Sequence, residues 1–349
     1  MNQDEIKMML KAEELAGVQK AHSKAVGEFL EPRKTPANVV GMGVGVKWKS
    51  GRPTGEPALV VLVTHKVPKN ELSEPDLVPT KLQNMQTDVL PIGYPFAGGS
   101  ESLEANIQTP AGRIRPAKGG CSVGHFKITA GTLGICVYDI LPQESDNPSG
   151  HGIGVPPKYY ILSNNHVLAN SNDASTGDPI LQPAPFDGGV DPADRIAALS
   201  RFIPITFDPP VPREQHNNLV DEAIAEGQFH DLDREIYWIG HVRAWRRKED
   251  VNVGTLVKKT GRTTNFTTGR ITAVNATVDI NYGEGKVARF KDQIVTTNFS
   301  DGGDSGSLVT TLDNVAVGLL FAGSSSATIL NQMENVRSLL RVEVAEEVQ

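Results

Sequence analysis

The sequence predicts a mainly β protein with an N-terminal helical and small α/β extension. From about residue 115 onward, short apolar segments recur at regular intervals between turn signals, and no long helical period interrupts them. The 34 glycines and 23 prolines also suit many short strands joined by tight turns. Helical spacing is confined to the two ends of the chain. We therefore expect two regions, residues 1–104 and residues 105–349.

The N-terminal extension begins with an amphipathic segment. From about Asp4 to Leu30, apolar side chains recur at helical spacing, and Glu and Lys fill many of the positions between them. This pattern predicts one amphipathic helix or a pair of them, and Pro32 and Pro36 are expected to end it. The polar face is not basic, which favours docking or self-association over membrane binding.

Three strands are predicted in the remainder of the extension. Residues 39–47 alternate with glycine at every second position, residues 58–63 form a continuous apolar run, and residues 87–91 form a third strand. No helix start follows the alternating glycines. We therefore interpret them as positions of close strand packing rather than as a phosphate-binding loop.

The β region is predicted to hold many short strands and to end in a helix. The helix is expected over 331–340, where apolar residues return to helical spacing. The predicted strands include 132–137, 159–162, 224–225, 236–242, 256–260, 269–278, 293–297, 307–310 and 316–321.

Charge and cysteine content restrict the partners and the compartment. The net charge of −7 argues against a surface for nucleic acid or anionic lipid, which would need a basic excess. Cys121 and Cys136 are the only cysteines, and their apolar surroundings predict buried free thiols in a reducing compartment, with a single disulfide between them as the alternative. The acidic N-terminus does not resemble a signal peptide, and no run of about 18 apolar residues occurs. We expect a cytoplasmic protein with no membrane partner.

The strongest chemical signal is a serine in a glycine-rich turn. Residues 303–306 read Gly-Asp-Ser-Gly, and an apolar strand follows. Glycines allow a sharp turn that leaves backbone amides unhindered, and such amides can hold the oxyanion of an acyl-transfer intermediate. This pattern predicts Ser305 as a nucleophile and the amides of Gly303 and Ser305 as the oxyanion hole.

A serine nucleophile needs a base within hydrogen-bonding reach, and His166 is the predicted base. It lies in a polar turn directly after the apolar strand over 159–162, whereas a core histidine would lie within a strand. Sequence alone leaves His125, His216 and His241 open as alternatives.

The predicted third member is a carboxylate that accepts from the other imidazole nitrogen and fixes its tautomer. Asp221 directly precedes the apolar strand at 224–225 and is the first choice. Glu222 and Asp208 are the competing carboxylates.

These residues carry a resemblance to a known family. His166, Asp221 and Ser305 follow the chain order of chymotrypsin-family serine proteases, at separations suited to two barrels. Residues 254–269 look like the hairpin that opens the second barrel in bacterial members, and residues 120–134 resemble the opening of their first barrel.

A narrower resemblance is to bacterial trypsin-like proteins related to the plant narrow-leaf protease. It is carried by residues 162–170, 187–189 and 218–225, together with the glycine-rich strand of the extension.

The resemblance implies a chymotrypsin-like double β-barrel over residues 105–349, with the second barrel starting near residue 250. It further implies peptide-bond hydrolysis of protein or peptide substrates, no cofactor or metal, and frequent self-association. In family members that are activated by cleavage, the acid beside the nucleophile pairs with a new N-terminus. No such activation site is visible here, so we expect Asp304 to pair internally or with a group from a partner.

The same alignment suggests where substrate binds. Counting back from Ser305 places Phe299 at the base of the P1 pocket. Phe321, Ala322 and Gly323 align with the strand that pairs with substrate. No acidic residue falls at the pocket floor, so a neutral pocket for an apolar or small side chain is expected.

The sequence thus predicts a serine endopeptidase whose activity is restricted or regulated, since an unrestrained protease is hazardous in the cytoplasm. A regulatory protein partner or a homo-oligomer would provide that restraint. The alternative is a catalytically silent binding or scaffold protein with the same fold, although every predicted catalytic residue is present. An esterase using the same residues is chemically reasonable, but no lipid-binding stretch supports it.

Overall fold

The computed structural model describes residues 6–31, 35–36, 38–64, 66–67, 69, 72, 74–93, 95, 110–140, 158–344 and 347–348. The protein is mainly β, as predicted. The expected boundary between residues 104 and 105 lies outside the described residues, so the division into two regions stays a prediction.

The N-terminal extension is one helix packed on a small sheet. The helix, α1, spans Ala12–Phe29. Its buried face joins a core cluster that also contains residues of the small sheet and of the second barrel. The strands of the extension are β1 (Val39–Lys49), β2 (Arg52–Val63), β3 (Lys81–Leu82) and β4 (Met85–Pro91). β1 and β2 are antiparallel, and β2 pairs in parallel with β4.

The glycines of β1 permit close strand packing, as the sequence indicated. A Cβ at Gly41 would lie 2.3 Å from the backbone oxygen of Thr277, and one at Gly45 would lie 2.7 Å from the side chain of Val60. A side chain at Gly41 would therefore push β1 away from β17, and one at Gly45 would push β1 away from β2.

The first half of the β region, together with one strand near the C-terminus, forms an eight-stranded sheet that curves into a half-barrel. Its strand order is β22-β8-β9-β12-β11-β10-β6-β7. The bounds are β6 (Ser122–His125), β7 (Gly131–Thr132), β8 (Ile135–Asp139), β9 (Tyr159–Ser163), β10 (Pro179–Leu181), β11 (Arg195–Phe202), β12 (Ala223–Gly227) and β22 (Val342–Glu343). A four-residue helix, α2 (Asn165–Leu168), follows β9.

A three-stranded sheet lies beside the half-barrel. It consists of β5 (Ala117–Gly119), β13 (Leu232–Ile236) and β14 (Gly240–His241). The single strand expected over 236–242 is instead divided between β13 and β14. Trp238 and Gly240 adopt positive φ angles of 63° and 84°, which turn the chain between these strands.

The second half closes into a six-stranded barrel, because β16 pairs with both β19 and β17. Its strands are β16 (Leu256–Gly261), β17 (Asn265–Asn281), β18 (Val287–Thr297), β19 (Leu308–Thr311), β20 (Val315–Gly323) and β21 (Ala327–Gln332). β15 (Ala244–Trp245) pairs with β20 and with β23 (Glu347–Val348), and the closing helix α3 is Met333–Leu340. The half-barrel and the closed barrel together make up the mainly β region that the sequence predicts.

The extension is joined to the second barrel by main-chain hydrogen bonds. β1 pairs antiparallel with the second half of β17, at Gly41 opposite Val278 and Met42 opposite Thr277. The sheet of the extension therefore continues the barrel sheet. In addition, Arg289 of β18 donates to the carbonyl of Leu30 at the end of α1, at 2.8 Å.

Short 3₁₀ turns connect several strands. They are Glu74–Asp76, Asn170–Asn172, Pro185–Asp187, Arg213–Gln215, Phe229–Asp231 and Lys248–Asp250. Within the described ranges, no helix is long and apolar enough to cross a membrane.

Candidate active site

His166 and Asp221 are brought together by the pairing of β9 with β12. Ser163 lies opposite Ala223 in this antiparallel register, so the chain just beyond β9 meets the chain just before β12. His166 lies on α2, and its Nδ1 is 2.7 Å from Oδ2 of Asp221. Its backbone amide donates to Oδ1 of the same carboxylate at 3.1 Å.

This contact determines the tautomer of the neutral imidazole. A carboxylate only accepts hydrogen bonds, so Nδ1 of His166 carries the proton and Nε2 has the free lone pair. Nε2 is buried and has no hydrogen-bond partner within the described part of the chain. The histidine therefore has the protonation pattern of a general base.

The carboxylate of Asp221 is fully buried and held on its backbone side as well. Asn331 Oδ1 accepts from its amide at 3.0 Å, and Asn164 Nδ2 donates to its carbonyl at 2.8 Å. Asn331 in turn donates to Gln293 at 2.6 Å. This network reaches from the half-barrel into β18 and β21 of the second barrel.

The competing acids have other surroundings. Glu222 is fully buried, and neither of its carboxyl oxygens has a hydrogen-bond partner among the residues described. Burial and the nearby Asp221 raise the pKa of Glu222 well above its ordinary value. Asp208 pairs with Arg213 at 3.1 Å. The structure thus places Asp221 at the imidazole.

The alternative histidines also have other partners. His125 lies 3.1 Å from Asp178, and His216 Nε2 donates to the carbonyl of Val211 at 2.8 Å. His241 is exposed and lies 3.5 Å from Glu235.

Ser305 lies in the loop between β18 and β19, and β7 connects this loop to the His166 turn. The amide of Thr132 donates to the carbonyl of Ser305 at 2.7 Å, and its hydroxyl donates to the carbonyl of Gly303 at 2.8 Å. A Cβ at Gly131 would lie 2.4 Å from Val167 and 3.1 Å from the Ser305 oxygen. The serine loop and the His166 turn therefore meet at Gly131. No hydrogen bond joins Ser305 Oγ to His166 Nε2 in the part of the chain described.

The serine loop leaves two amides free, and they are the two that the sequence indicated. Within residues 301–307, five backbone amides donate to protein acceptors. Those of Gly303 and Ser305 make no hydrogen bond among the described residues. Gly303 has a φ of 92°, and a Cβ there would lie 2.5 Å from Thr263 Oγ1, so the loop requires glycine at this position.

Asp304 pairs internally, as expected. Its Oδ2 accepts from Lys259 Nζ at 2.9 Å, and both side chains are fully buried. Its Oδ1 accepts from the amides of Thr263 at 2.9 Å and Thr264 at 3.1 Å. Burial lowers the pKa of Lys259 and the Asp304 charge opposes that effect. Sequence reasoning missed Lys259, although its place two residues after Val257 in a predicted strand puts the two side chains on one face.

A second ion pair ties the half-barrel to the β16–β17 turn. Arg262 Nε donates to Asp187 at 2.8 Å, and its second nitrogen also contacts that carboxylate. The amide of Arg262 donates to Thr132 Oγ1 at 3.0 Å. Arg262 therefore fixes the β16–β17 turn against β7.

The residues predicted to bind substrate occupy two kinds of position. The rings of Phe299 and Phe321 are buried in the barrel core, the first against Gly269 and the second 4.7 Å from Phe290. Ala322 and Gly323 pair with β21 on one edge only. The other edge of β20 beyond Leu320 has no partner strand among the residues described.

Tyr282 is a site residue that sequence reasoning did not find. It follows β17, and its hydroxyl donates to Asp221 Oδ2 at 2.7 Å. No sequence pattern links it to Asp221, since the two residues are 61 positions apart and meet through tertiary pairing.

Other features concern metals and thiols. The described residues contain no group of three or more side chains arranged to hold a metal ion. Cys121 and Cys136 are free and buried. Burial raises the pKa of Cys121 to about 11 and that of Cys136 to about 12, so both thiols stay protonated at neutral pH.

The solved structures that are similar to this chain are proteases. Thermobifida fusca protease A is 16% identical, with a TM-score of 0.43 over 65% of this chain and 97% of that chain. A chymotrypsin of Cellulomonas bogoriensis is 18% identical, with a TM-score of 0.42 over 65% of this chain and 96% of that chain. A glutamic acid-specific serine protease is 19% identical, with a TM-score of 0.42 over 65% and 98%.

No protein-family model and no curated protein sequence matches the chain.

Proposed function

We propose that this chain is a serine endopeptidase of restricted or regulated activity, with Ser305 as nucleophile, His166 as base and Asp221 as orienting acid. The observation that carries the proposal is the hydrogen bond from His166 Nδ1 to Asp221, because it leaves Nε2 ready to accept a proton. The free amides of Gly303 and Ser305 support it, since an oxyanion needs such donors.

In the proposed reaction, Ser305 Oγ attacks the carbonyl carbon of the scissile peptide while its proton moves to Nε2 of His166. The amides of Gly303 and Ser305 donate to the oxyanion. The C–N bond then breaks, and the imidazolium gives its proton to the leaving amine. Water attacks the resulting ester, His166 takes its proton, and that proton returns to Ser305 as the acid product leaves.

The free edge of β20 supports the proposed substrate site. A peptide in extended conformation can add to an unpaired strand edge through main-chain hydrogen bonds. Ala322 and Gly323 offer such an edge. The rings of Phe299 and Phe321 are buried and pack in the barrel core beneath it. This arrangement is consistent with a neutral P1 pocket.

Restriction of activity is supported by the unformed contact between Ser305 and His166. We propose that the hydrogen bond between Ser305 and His166 forms when substrate or a protein partner adjusts the serine loop. Self-association of the chain could adjust the loop in the same way. The buried free thiols accord with a reducing compartment, and we propose the cytoplasm. We also propose that the chain is related to the narrow-leaf protease group.

Peptide hydrolysis tests the proposed function. Purified protein is incubated with a mixture of unstructured peptides, and mass spectrometry records the cleavage products. We expect slow cleavage at few sites by wild type and by Ser326→Ala, an exposed serine on the β20–β21 turn. Neither Ser305→Ala nor His166→Ala should cleave.

Two results would change the conclusion. Rapid degradation of unfolded casein by the protein alone would refute restricted activity. Absence of cleavage by folded wild type, with or without candidate partners, would favour the silent scaffold.

A further inference from the structure

Tyr282 and His166 share one oxygen of Asp221. The Tyr282 hydroxyl and the His166 Nδ1 each lie 2.7 Å from Oδ2, and the His166 backbone amide lies 3.1 Å from Oδ1. Among the described residues, the carboxylate thus accepts three hydrogen bonds, and one of them comes from outside the His166 turn. That donor arrives from the second barrel.

Aromatic contacts hold the Tyr282 ring in place. Its centroid lies 5.1 Å from Phe207 and 6.3 Å from Phe290, and the imidazole of His166 is 6.1 Å away in an edge-on orientation. Such packing restricts rotation of the ring, so the hydroxyl reaches Asp221 with little loss of side-chain freedom. Burial, followed by the Asp221 charge, raises the pKa of Tyr282 well above its ordinary value, so the phenol remains a donor.

The turn that carries Tyr282 is itself constrained. The amide of Tyr282 donates to the carbonyl of Lys286 at 3.0 Å, and that of Gly283 donates to Oδ1 of Asn281 at 2.7 Å. The amide of Asn281 donates to the carbonyl of Pro95 at 3.1 Å. The N-terminal extension therefore contacts the turn one residue before the phenol.

We infer that Tyr282 is a positioning residue for the proposed reaction, which holds the Asp221 carboxylate in the orientation that His166 requires. This inference rests on the proposed function. The phenol does not touch the reacting atoms. It prevents rotation of the carboxylate, and it draws part of the negative charge on Oδ2 toward itself.

The variant Tyr282→Phe keeps the ring contacts and removes only the donor. The carboxylate then gains rotational freedom, and the rate of reaction at Ser305 should fall by about tenfold. Without the phenol, His166 Nδ1 is the remaining donor to Oδ2 among the described residues. The negative charge on Oδ2 then stabilises the protonated imidazole more strongly. The acidic limb of the pH–rate profile should therefore move about half a pH unit higher. Other titratable groups near Asp221 are His166 and the adjacent Glu222.

The chain provides a matched control. Tyr160 donates to Asp139 at 2.9 Å, away from the His166 turn, and Tyr160→Phe removes the same kind of hydrogen bond. A fluorophosphonate probe gives the reaction rate at Ser305 as a function of pH and probe concentration. In protein labelled with ¹⁵N-histidine, the Nδ1 signal of His166, assigned by its loss in His166→Ala, reports the hydrogen bond without requiring activity.

The expected result is a lower limiting rate, unchanged probe affinity, a shifted acidic limb and a shifted Nδ1 signal in Tyr282→Phe, with wild-type behaviour in Tyr160→Phe. If wild type reacts with the probe and Tyr282→Phe matches it in rate, pH profile and Nδ1 signal, the positioning role is overturned. If wild type does not react but the Nδ1 signal still shifts only in Tyr282→Phe, the proposed function fails while the positioning of His166 is supported.

Discussion

Lys259 Nζ lies 2.9 Å from Oδ2 of Asp304, and both side chains are fully buried. Asp304 lies directly between Gly303 and Ser305, whose amides are the free donors of the serine loop. A buried charge needs a partner, so Lys259 keeps the Asp304 side chain inside the barrel and thereby sets the course of the loop. The cation that pairs with Asp304 is therefore a side chain of this chain and not a new N-terminus or a group from a partner.

Replacement of Lys259 by Met should therefore disorganise the serine loop. It leaves the Asp304 carboxylate buried without its cation, and removal of one partner of a buried pair costs about 3–5 kcal/mol. We expect the free energy of unfolding in urea to fall by that amount and probe labelling of Ser305 to be lost. Lys258→Met is the control, since that partly exposed side chain donates to the Leu312 carbonyl and its loss should change stability by less than about 0.5 kcal/mol. Wild-type labelling in Lys259→Met would contradict this account.

Glu222 should make stability depend on pH. Its pKa is raised by burial in the folded chain, so its stabilising contribution is complete below the pKa of the unfolded chain and is lost as pH rises toward the folded value. In that window, wild type should lose up to about 1.4 kcal/mol per pH unit relative to Glu222→Gln. Urea unfolding across the pH range measures this difference. Glu226→Gln, at an exposed position of β12, is the control, and parallel curves for wild type and Glu222→Gln would refute the prediction.

His22 should make docking of α1 sensitive to acid. Its Nε2 donates to the Met42 carbonyl at 3.1 Å, and Asn275 donates to its Nδ1 at 3.2 Å, so both nitrogens are used by the neutral ring. Burial lowers the pKa of His22 below 6.5. The stabilisation is therefore complete above about pH 6.5 and is lost as pH falls toward the folded value.

Amide hydrogen exchange tests this prediction for the α1 segment. Protection of α1 should decrease between pH 7.5 and pH 5.5 in wild type and in His230→Gln, whose histidine is exposed. The decrease should be much smaller in His22→Gln. An equal decrease in all three proteins would show that His22 is not responsible.

The sequence predicted the residues whose positions follow from local patterns. His166 lies where an apolar strand ends and Asp221 where the neighbouring strand begins, so simple strand pairing brings them together. Gly303 and Ser305 were predicted as free donors because glycine-rich turns expose amides. Each of these expectations depends only on where a strand ends, on a glycine-rich turn or on the pairing of two neighbouring strands.

Tyr282 and the course of the extension could not be predicted in this way. Tyr282 reaches Asp221 only because β17 runs for 17 residues from one end of the barrel to the half-barrel. Attachment of β1 to β17 depends on the register near Gly41 and Thr277, which no local pattern specifies. The contacts that connect distant segments therefore had to come from the structure.

The central claim is that Ser305 is a competent nucleophile, and intact-mass spectrometry after fluorophosphonate treatment tests it most directly. Attack by Ser305 Oγ on phosphorus would form a P–O bond and release fluoride. We predict a single adduct on wild type and on Ser326→Ala, mapped to Ser305 by peptide analysis, and none on Ser305→Ala. An adduct that persists in Ser305→Ala, or the absence of any adduct on folded wild type, would contradict the claim.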